Sequence, residues 1–151
     1  MASADRLAAP LRLGVLLRQA HRKAASALEA ALEPLSLSGR HFGVLLHLSQ
    51  LGESTHTELM ALTGGDKASM ARTVDALVAA GLVAREVSRT DRRVSRLTLT
   101  ESGSAVTTDA YARAMTTGSE LCNGLSAAEL AQLVLLLERF VETKAPGNLT
   151  A

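Results

Sequence analysis

The stretch EVSRTDRRVSRLTLT, residues 86–100, sets Arg89, Arg92, Arg93 and Arg96 around one acid, Asp91. Like charges this close repel one another, and burial would leave them unpaired. An anionic partner is the natural compensation. Guanidinium groups suit phosphate, and they suit a narrow minor groove, where the potential is most negative. Asp91 cannot itself attract a polyanion. Two residues ahead of Arg93, it is placed to hold that arginine in its working rotamer. The reading therefore sends Arg93 into a minor groove and Arg89 and Arg92 to the backbone of a nucleic acid. The plainer alternative is a solvated hairpin turn whose aspartate simply favours the turn.

More donors lie just upstream. Lys67, Ser69, Arg72 and Thr73 fall in the N-terminal half of KASMARTVDALVAA, a predicted helix. That end of such a helix is the one that usually enters a major groove. Arg72 can make a bidentate contact to guanine, and Ser69 can reach a phosphate or a base. Ala68, Ala76 and Ala79 share the Arg72 face and are small enough for close approach. Met70, Val74 and Leu77 share the opposite face and should pack on the preceding helix. Ordinary charges on a solvated helix face would explain this helix by itself equally well.

These donors need a scaffold. From about Pro10 to Ala31, Leu13, Leu16, Leu17, Ala20 and Ala24 make one helical stripe, with Pro10 suited to a first helical position. Ser38 is a fair N-cap for a second helix through about Leu48. Thr55 and Glu58 have capping-box spacing for a short third helix. Gly64 and Gly65 then make a tight turn, Asp66 caps the fourth helix, and Gly81 stops it. Two short helices joined by a glycine turn are the pattern of a helix-turn-helix. LVAREV and SRLTLT read as two strands around the polar turn SRTDRR, and a ribbon of two strands must lean on the helices to be stable. TESG opens a long helix through about Leu121, and Ser126 with Glu129 caps a last one. The tail APGNLTA is expected to fray. The fold class is mainly α with a small β-wing: a winged helix-turn-helix flanked by N- and C-terminal helices.

The totals agree with this scaffold. Hydrophobic residues are 47% of 151, with two Phe, one Tyr and no Trp, so the core is Leu, Ala and Val in packed helices. The net charge of +1 hides an uneven distribution: residues 1–66 sum to zero, 67–100 to +4 and 101–151 to −3. A basic middle is the footprint of a polyanion partner. The single cysteine, Cys122, rules out an intrachain disulfide and fits a reducing compartment. The apolar run LGVLL is short and bracketed by Arg12 and Arg18, so it does not read as a signal peptide. With no long apolar span either, a cytoplasmic protein without a membrane partner is expected.

The block THTELMALTGGDKASMARTVDALVAAGLVAREVSRTDRRVSRLTLTESG resembles the core of the MarR family of bacterial transcription regulators. The matching features are the third helix, DKASMARTVDALVAAGLV-R, the DRR wing and the LT–G that starts the next helix. The helix order resembles the family from about residue 10 to 143. The resemblance implies one domain over 1–151, with dimerisation helices at 10–33 and 104–143 and a DNA-binding lobe at 36–100. It implies a homodimer that binds double-stranded DNA at a near-palindromic operator, most often as a repressor. Asp91 and Arg93 match the family's wing pair, and Arg85 matches the basic residue of GLV-R. The DNA-contacting set is thus Lys67, Ala68, Ser69, Arg72, Thr73, Arg85, Arg89, Asp91, Arg92 and Arg93. A dimer has support of its own, because Leu130, Leu133, Val134, Leu137 and Val141 exceed what a small winged helix buries.

Family members commonly release DNA when a small, often phenolic or anionic, effector binds near the dimer helices. His21, His41, Phe42 and Tyr111 are the candidate lining residues on that analogy, and Arg18, Arg22 or Arg40 could pair with a carboxylate. The peroxide-sensing branch carries its cysteine near the start of the first helix, where this chain has none; Cys122 more simply packs. His41 and His47 are six apart, which is not the ligand spacing of a helical metal site, and no cofactor is expected. TGGDK lacks the spacing of a phosphate-binding loop, and no nucleophile motif occurs, so an enzyme is not expected. The alternative function is a winged-helix protein-interaction module without specific DNA binding.

Overall fold

The structure, a computed structural model, describes residues 8–63, 66–87 and 95–143. The expected Gly64–Gly65 turn, the SRTDRR turn and the tail lie outside the described residues. The chain forms two compact units, one running to Thr117 and the other from Gly118 onward.

In the first unit, α1 (Ala9–Leu32) begins with Pro10 in its first turn, where a missing N–H costs nothing. A 3-10 turn, Glu33–Leu35, follows and ends at Ser36 in the left-handed region, φ 55°. α2 (Gly39–Leu51) runs one turn further than the sequence suggests and stops at Gly52, φ 80°, which is glycine's territory. Its N-terminus is closed by a capping box in which Ser38 Oγ accepts from His41 N and His41 Nδ1 accepts from Ser38 N, both at 3.2 Å. α3 spans His56–Thr63. Its box is Thr55 and Glu58, with Thr55 N donating to Glu58 Oε2 at 2.7 Å. α4 (Lys67–Ala79) is capped by Asp66, whose Oδ1 accepts from Ser69 N at 2.8 Å. Hydrogen bonds to their own caps hold Asp66 and Glu58 below the usual carboxylate range.

The wing is wider than expected. Besides β2 (Val83–Val87) and β3 (Ser95–Leu99), a third strand, β1 (Glu53–Thr55), joins the sheet, in the order β1-β3-β2. Both pairings are antiparallel, with Ser54 opposite Leu97 on one side and Arg85 opposite Leu97 on the other. β1 carries no apolar alternation, so periodicity could not reveal it. Its pairing is backbone-driven, and Ser54 is buried in the process. The extra strand is how the ribbon leans on the helices, since β1 runs straight into α3.

The core forms where these elements meet: Leu45 and Leu48 of α2, Leu59 of α3, Val74 and Leu77 of α4, Val83 of β2 and Leu97 of β3 are all buried. Leu32 of α1 joins this cluster, as does Ala110 of α5 (Glu101–Leu121). The start of α5 is clasped to the turn after α4. Thr100 N donates to the Leu82 carbonyl at 3.1 Å, and Thr100 Oγ1 donates to the Gly81 carbonyl at 2.7 Å. Gly103 N in turn donates to Thr100 Oγ1 at 2.9 Å. Gly103 lies so close to this turn that a Cβ there would sit 1.9 Å from the Leu82 oxygen. The LT–G signature thus has a packing origin: threonine caps, and only glycine fits.

The second unit holds the end of α5, a turn containing Cys122, and α6 (Ala127–Glu142), opened by the Ser126–Glu129 capping box. α6 has no fully buried residue. Leu133, Val134, Leu135, Leu136, Phe140 and Val141 are all exposed, Val141 at 79%. Among the described residues no helix is long and apolar enough to cross a membrane.

Candidate nucleic-acid interface

The helical periodicity of α4 divides its residues into two faces. Met70, Val74 and Leu77 turn inward to α3 and the core, which orients the rest of the helix. Lys67, Ala68 and Arg72 face solvent, followed along the same side by Ala76 and Ala79. Neither Lys67 nor Arg72 has a hydrogen-bonded partner among the described residues. Two cations and a row of alanines therefore make a surface that is basic, shallow and close to the backbone.

Thr73 departs from the expected set. It is buried, and its hydroxyl donates to the Ser69 carbonyl one turn back, at 3.0 Å. One step of 100° along the helix separates it from Arg72, and that step takes it from the open face to the core. Ser69 is half-buried at the margin. Its hydroxyl accepts a hydrogen bond from Arg40, in the first turn of α2. The sequence reading placed Arg40 among the groups that could meet a carboxylate ligand; in the fold it reaches the tip of α4 instead.

The arginines of the strands also find partners inside the chain. Arg85, on β2, donates from Nη2 to Asp75 Oδ1 of α4 at 2.5 Å, linking the strand to the helix. Arg96, on β3, pairs with Glu53 of β1. Of the four clustered arginines, Arg96 thus has its counter-charge within the sheet, and the expectation of an external anion does not extend to it. Arg89, Asp91, Arg92 and Arg93 lie outside the described residues. The Arg85–Asp75 pair borders His56 at the start of α3. Partial burial holds the His56 imidazole below its ordinary pKa, and the positive charges of Arg85 and Lys67 add to the effect while Asp75 opposes it.

The candidate ligand residues do not converge. His21 is exposed on α1 and Tyr111 is half-exposed on α5. Phe42 is buried in the core of the lobe. His41 holds the α2 capping box and borders an open depression of about 620 Å³ between the end of α1 and the start of α2. Glu29 and Glu33 line that depression as well, so its charge is acidic. Among the described residues no three side chains could together hold a metal ion.

The arrangement is a helix-turn-helix whose second helix presents cations beside a three-stranded wing. A family model for the MarR family matches residues 35–94, which is this lobe from the end of α1 to the wing. A cysteine-to-serine mutant of E. coli MarR, solved with operator DNA, superposes with a TM-score of 0.79 at 28% identity, over 85% of this chain and 93% of that one. The chain is similar to MarR-family regulators, in sequence over its winged lobe and in fold along most of its length. Bordetella bronchiseptica BpsR, whose DNA binding is regulated by 6-hydroxynicotinic acid, gives a TM-score of 0.80 at 26% identity, over 87% of this chain and 99% of that one. A MarR-family transcriptional regulator from Rhodococcus sp. RHA1 gives 0.81 at 25% identity, covering 92% and 99%. MarR relatives are matched along most of their own length, so the likeness takes in the helices on either side of the winged lobe as well as the lobe.

Proposed function

We propose that this protein is a MarR-family transcription regulator that binds a near-palindromic operator as a homodimer, represses from it, and leaves it when a small effector binds. The observation that carries the DNA reading is the exposed Lys67–Ala68–Arg72 face of α4, cationic and lined with small residues, next to the β2–β3 wing. Arg72 is the base-reading residue, Lys67 meets phosphate, and Ser69 lies at the edge of the contact. Arg85 reaches the backbone from the root of the wing, while Arg89 and Arg92 do so from its turn. Arg93, oriented by Asp91, enters the minor groove. Thr73 is withdrawn from direct contact and supports the helix from within.

The dimer rests on apolar surface. Leu11, Leu13 and Leu16 are exposed on α1, and α6 exposes six large apolar side chains between Leu133 and Val141. Scattered apolar exposure is normal in a monomer, but a whole helix without a buried face calls for a partner. A second copy supplies it, and two lobes then read half-sites about one helical turn apart. The effector is a small anionic or phenolic compound, as the regulation of BpsR by 6-hydroxynicotinic acid suggests.

The test is fluorescence anisotropy with the DNA upstream of the protein's own gene, across a salt series. Submicromolar binding that survives unrelated competitor DNA and falls steeply with salt is expected. Absence of binding at low salt would overturn the reading and favour a protein-interaction module.

A further inference from the structure

Arg40 and Ser69 are 29 residues apart and belong to different helices, yet they meet at the solvent edge of the lobe. Every other polar group of Ser69 is committed locally. Its N–H donates to Asp66 Oδ1 at 2.8 Å, and its carbonyl accepts from the Thr73 hydroxyl at 3.0 Å. Its Oγ accepts from the Arg40 guanidinium. A serine hydroxyl can donate once and accept twice, and its hydrogen rotates to suit. A guanidinium only donates, and its charge repels the hydroxyl hydrogen. Arg40 therefore fixes Ser69 with its O–H turned away, as a donor towards whatever approaches the tip of α4.

A single hydrogen bond uses one of the five N–H groups that a guanidinium carries in its planar fork. Arg40 is exposed, so its remaining donors face solvent, and Lys67 is exposed at the first position of α4. Asp66 is occupied with the cap of α4, and Glu29 accepts from the backbone N–H of Gly39 next to Arg40. Arg40 and Ser69 thus present a guanidinium and an oriented hydroxyl side by side, a combination that fits a phosphate next to a hydrogen-bond acceptor.

We propose that Arg40 is a positioning residue of the DNA interface: it holds Ser69 as an obligate donor and anchors the phosphate that flanks the Ser69 contact. This rests on the DNA-binding reading above. An obligate donor donates to guanine N7 or O6, adenine N7, thymine O4 or a phosphate oxygen, and it disfavours the exocyclic amines of adenine and cytosine. Arg40 thereby contributes to sequence preference without touching a base.

The experiment measures binding of the full chain and its Arg40→Ala, Arg40→Lys, Ser69→Ala and Arg40→Lys/Ser69→Ala variants. The probe is the upstream duplex, with unrelated duplex for comparison, across salt. Arg40→Ala should weaken binding about tenfold and lower the slope of log K against log salt by about one per subunit. Arg40→Lys keeps a positive charge and should retain the slope, yet its ammonium lacks the planar fork that serves Ser69 Oγ and the phosphate together, so specificity for the operator should fall to the level of Ser69→Ala. In the Ser69→Ala background, Arg40→Lys should then cost nothing further. Parental affinity and slope in Arg40→Ala would overturn the proposal. So would losses that simply add in the double variant, because Arg40 would then act by charge alone. Failure of the parent chain to bind any duplex is a separate outcome that removes the DNA reading itself.

Discussion

Replacing Gly103 with alanine should cost this fold roughly 2–4 kcal/mol, from overpacking and weakened hydrogen bonds offset by a small helix-propensity gain. The added carbon would lie 1.9 Å from the Leu82 carbonyl oxygen, 2.9 Å from its carbon and 3.3 Å from the Leu82 Cα. Ordinary contact begins near 3.4 Å, so α5 and the turn after α4 must part by roughly 1.5 Å. No flexible side chain can absorb this, because the obstacle is backbone. Overpacking of this kind costs about 1–3 kcal/mol. The parting also strains the bonds of Thr100 to Leu82 and Gly81, and a net hydrogen bond is worth about 1 kcal/mol. Against this, alanine gains up to about 1 kcal/mol of helix propensity over glycine, and less in a first turn. For a chain of this size the loss corresponds to a fall in Tm of roughly 5–12 °C. Thermal and urea denaturation should be compared at one protein concentration, since a dimer's melting point depends on it. A Gly103→Ala variant as stable as the parent would refute the close approach and, with it, the packing origin of the LT–G signature.

Other expectations follow from the same contacts. Asp75→Ala removes an exposed ion pair and should change unfolding free energy by less than about 1 kcal/mol, so a larger loss by urea titration would show the Arg85 link to be structural. His56 has a folded pKa below its unfolded value, so the unfolded chain binds the extra proton. Stability should therefore fall as pH drops from about 6.5 through the folded pKa, and His56→Gln should flatten that dependence between pH 8 and 5. Ser126→Ala removes both the cap of α6 and the donor to Glu129, and about 1 kcal/mol of stability should go with it. Val141→Glu should shift the sedimentation of the proposed dimer towards monomer, and an unchanged dimer would place the interface elsewhere.

What could be read in the sequence divides by the range of the interaction. Helix ends were legible because their causes are local: Ser38, Asp66 and Ser126 each cap a helix through a residue three positions on. The inward face of α4 was legible because periodicity over four residues fixes it. β1 was not, since a strand of Glu-Ser-Thr carries no pattern and exists only because β3 pairs with it from more than forty residues away. The same limit hid the partners of the arginines. A run of like charges looks uncompensated in one dimension, but Arg96 meets Glu53 across the sheet and Arg85 meets Asp75 across the strand–helix junction. Thr73 was misread for a subtler reason. Its residue type suggested a donor, while its position, one step from Arg72 and one turn from Leu77, should have marked it as inward. Arg40 was noted only as a possible partner of a carboxylate, because its contact with Ser69 depends on two helices meeting.

The clasp of Thr100 and Gly103 on Gly81 and Leu82 has a consequence for how such a regulator can diversify. It fixes where α4 ends and β2 begins using backbone carbonyls, one hydroxyl and the absence of a side chain. None of these groups belongs to the exposed face of α4. Substitutions at Lys67, Ala68 or Arg72 can therefore change what that face recognises while its mounting stays the same. Specificity and architecture are inherited on separate residues, and a gene copy is free to drift towards a new target without first having to survive a damaged fold.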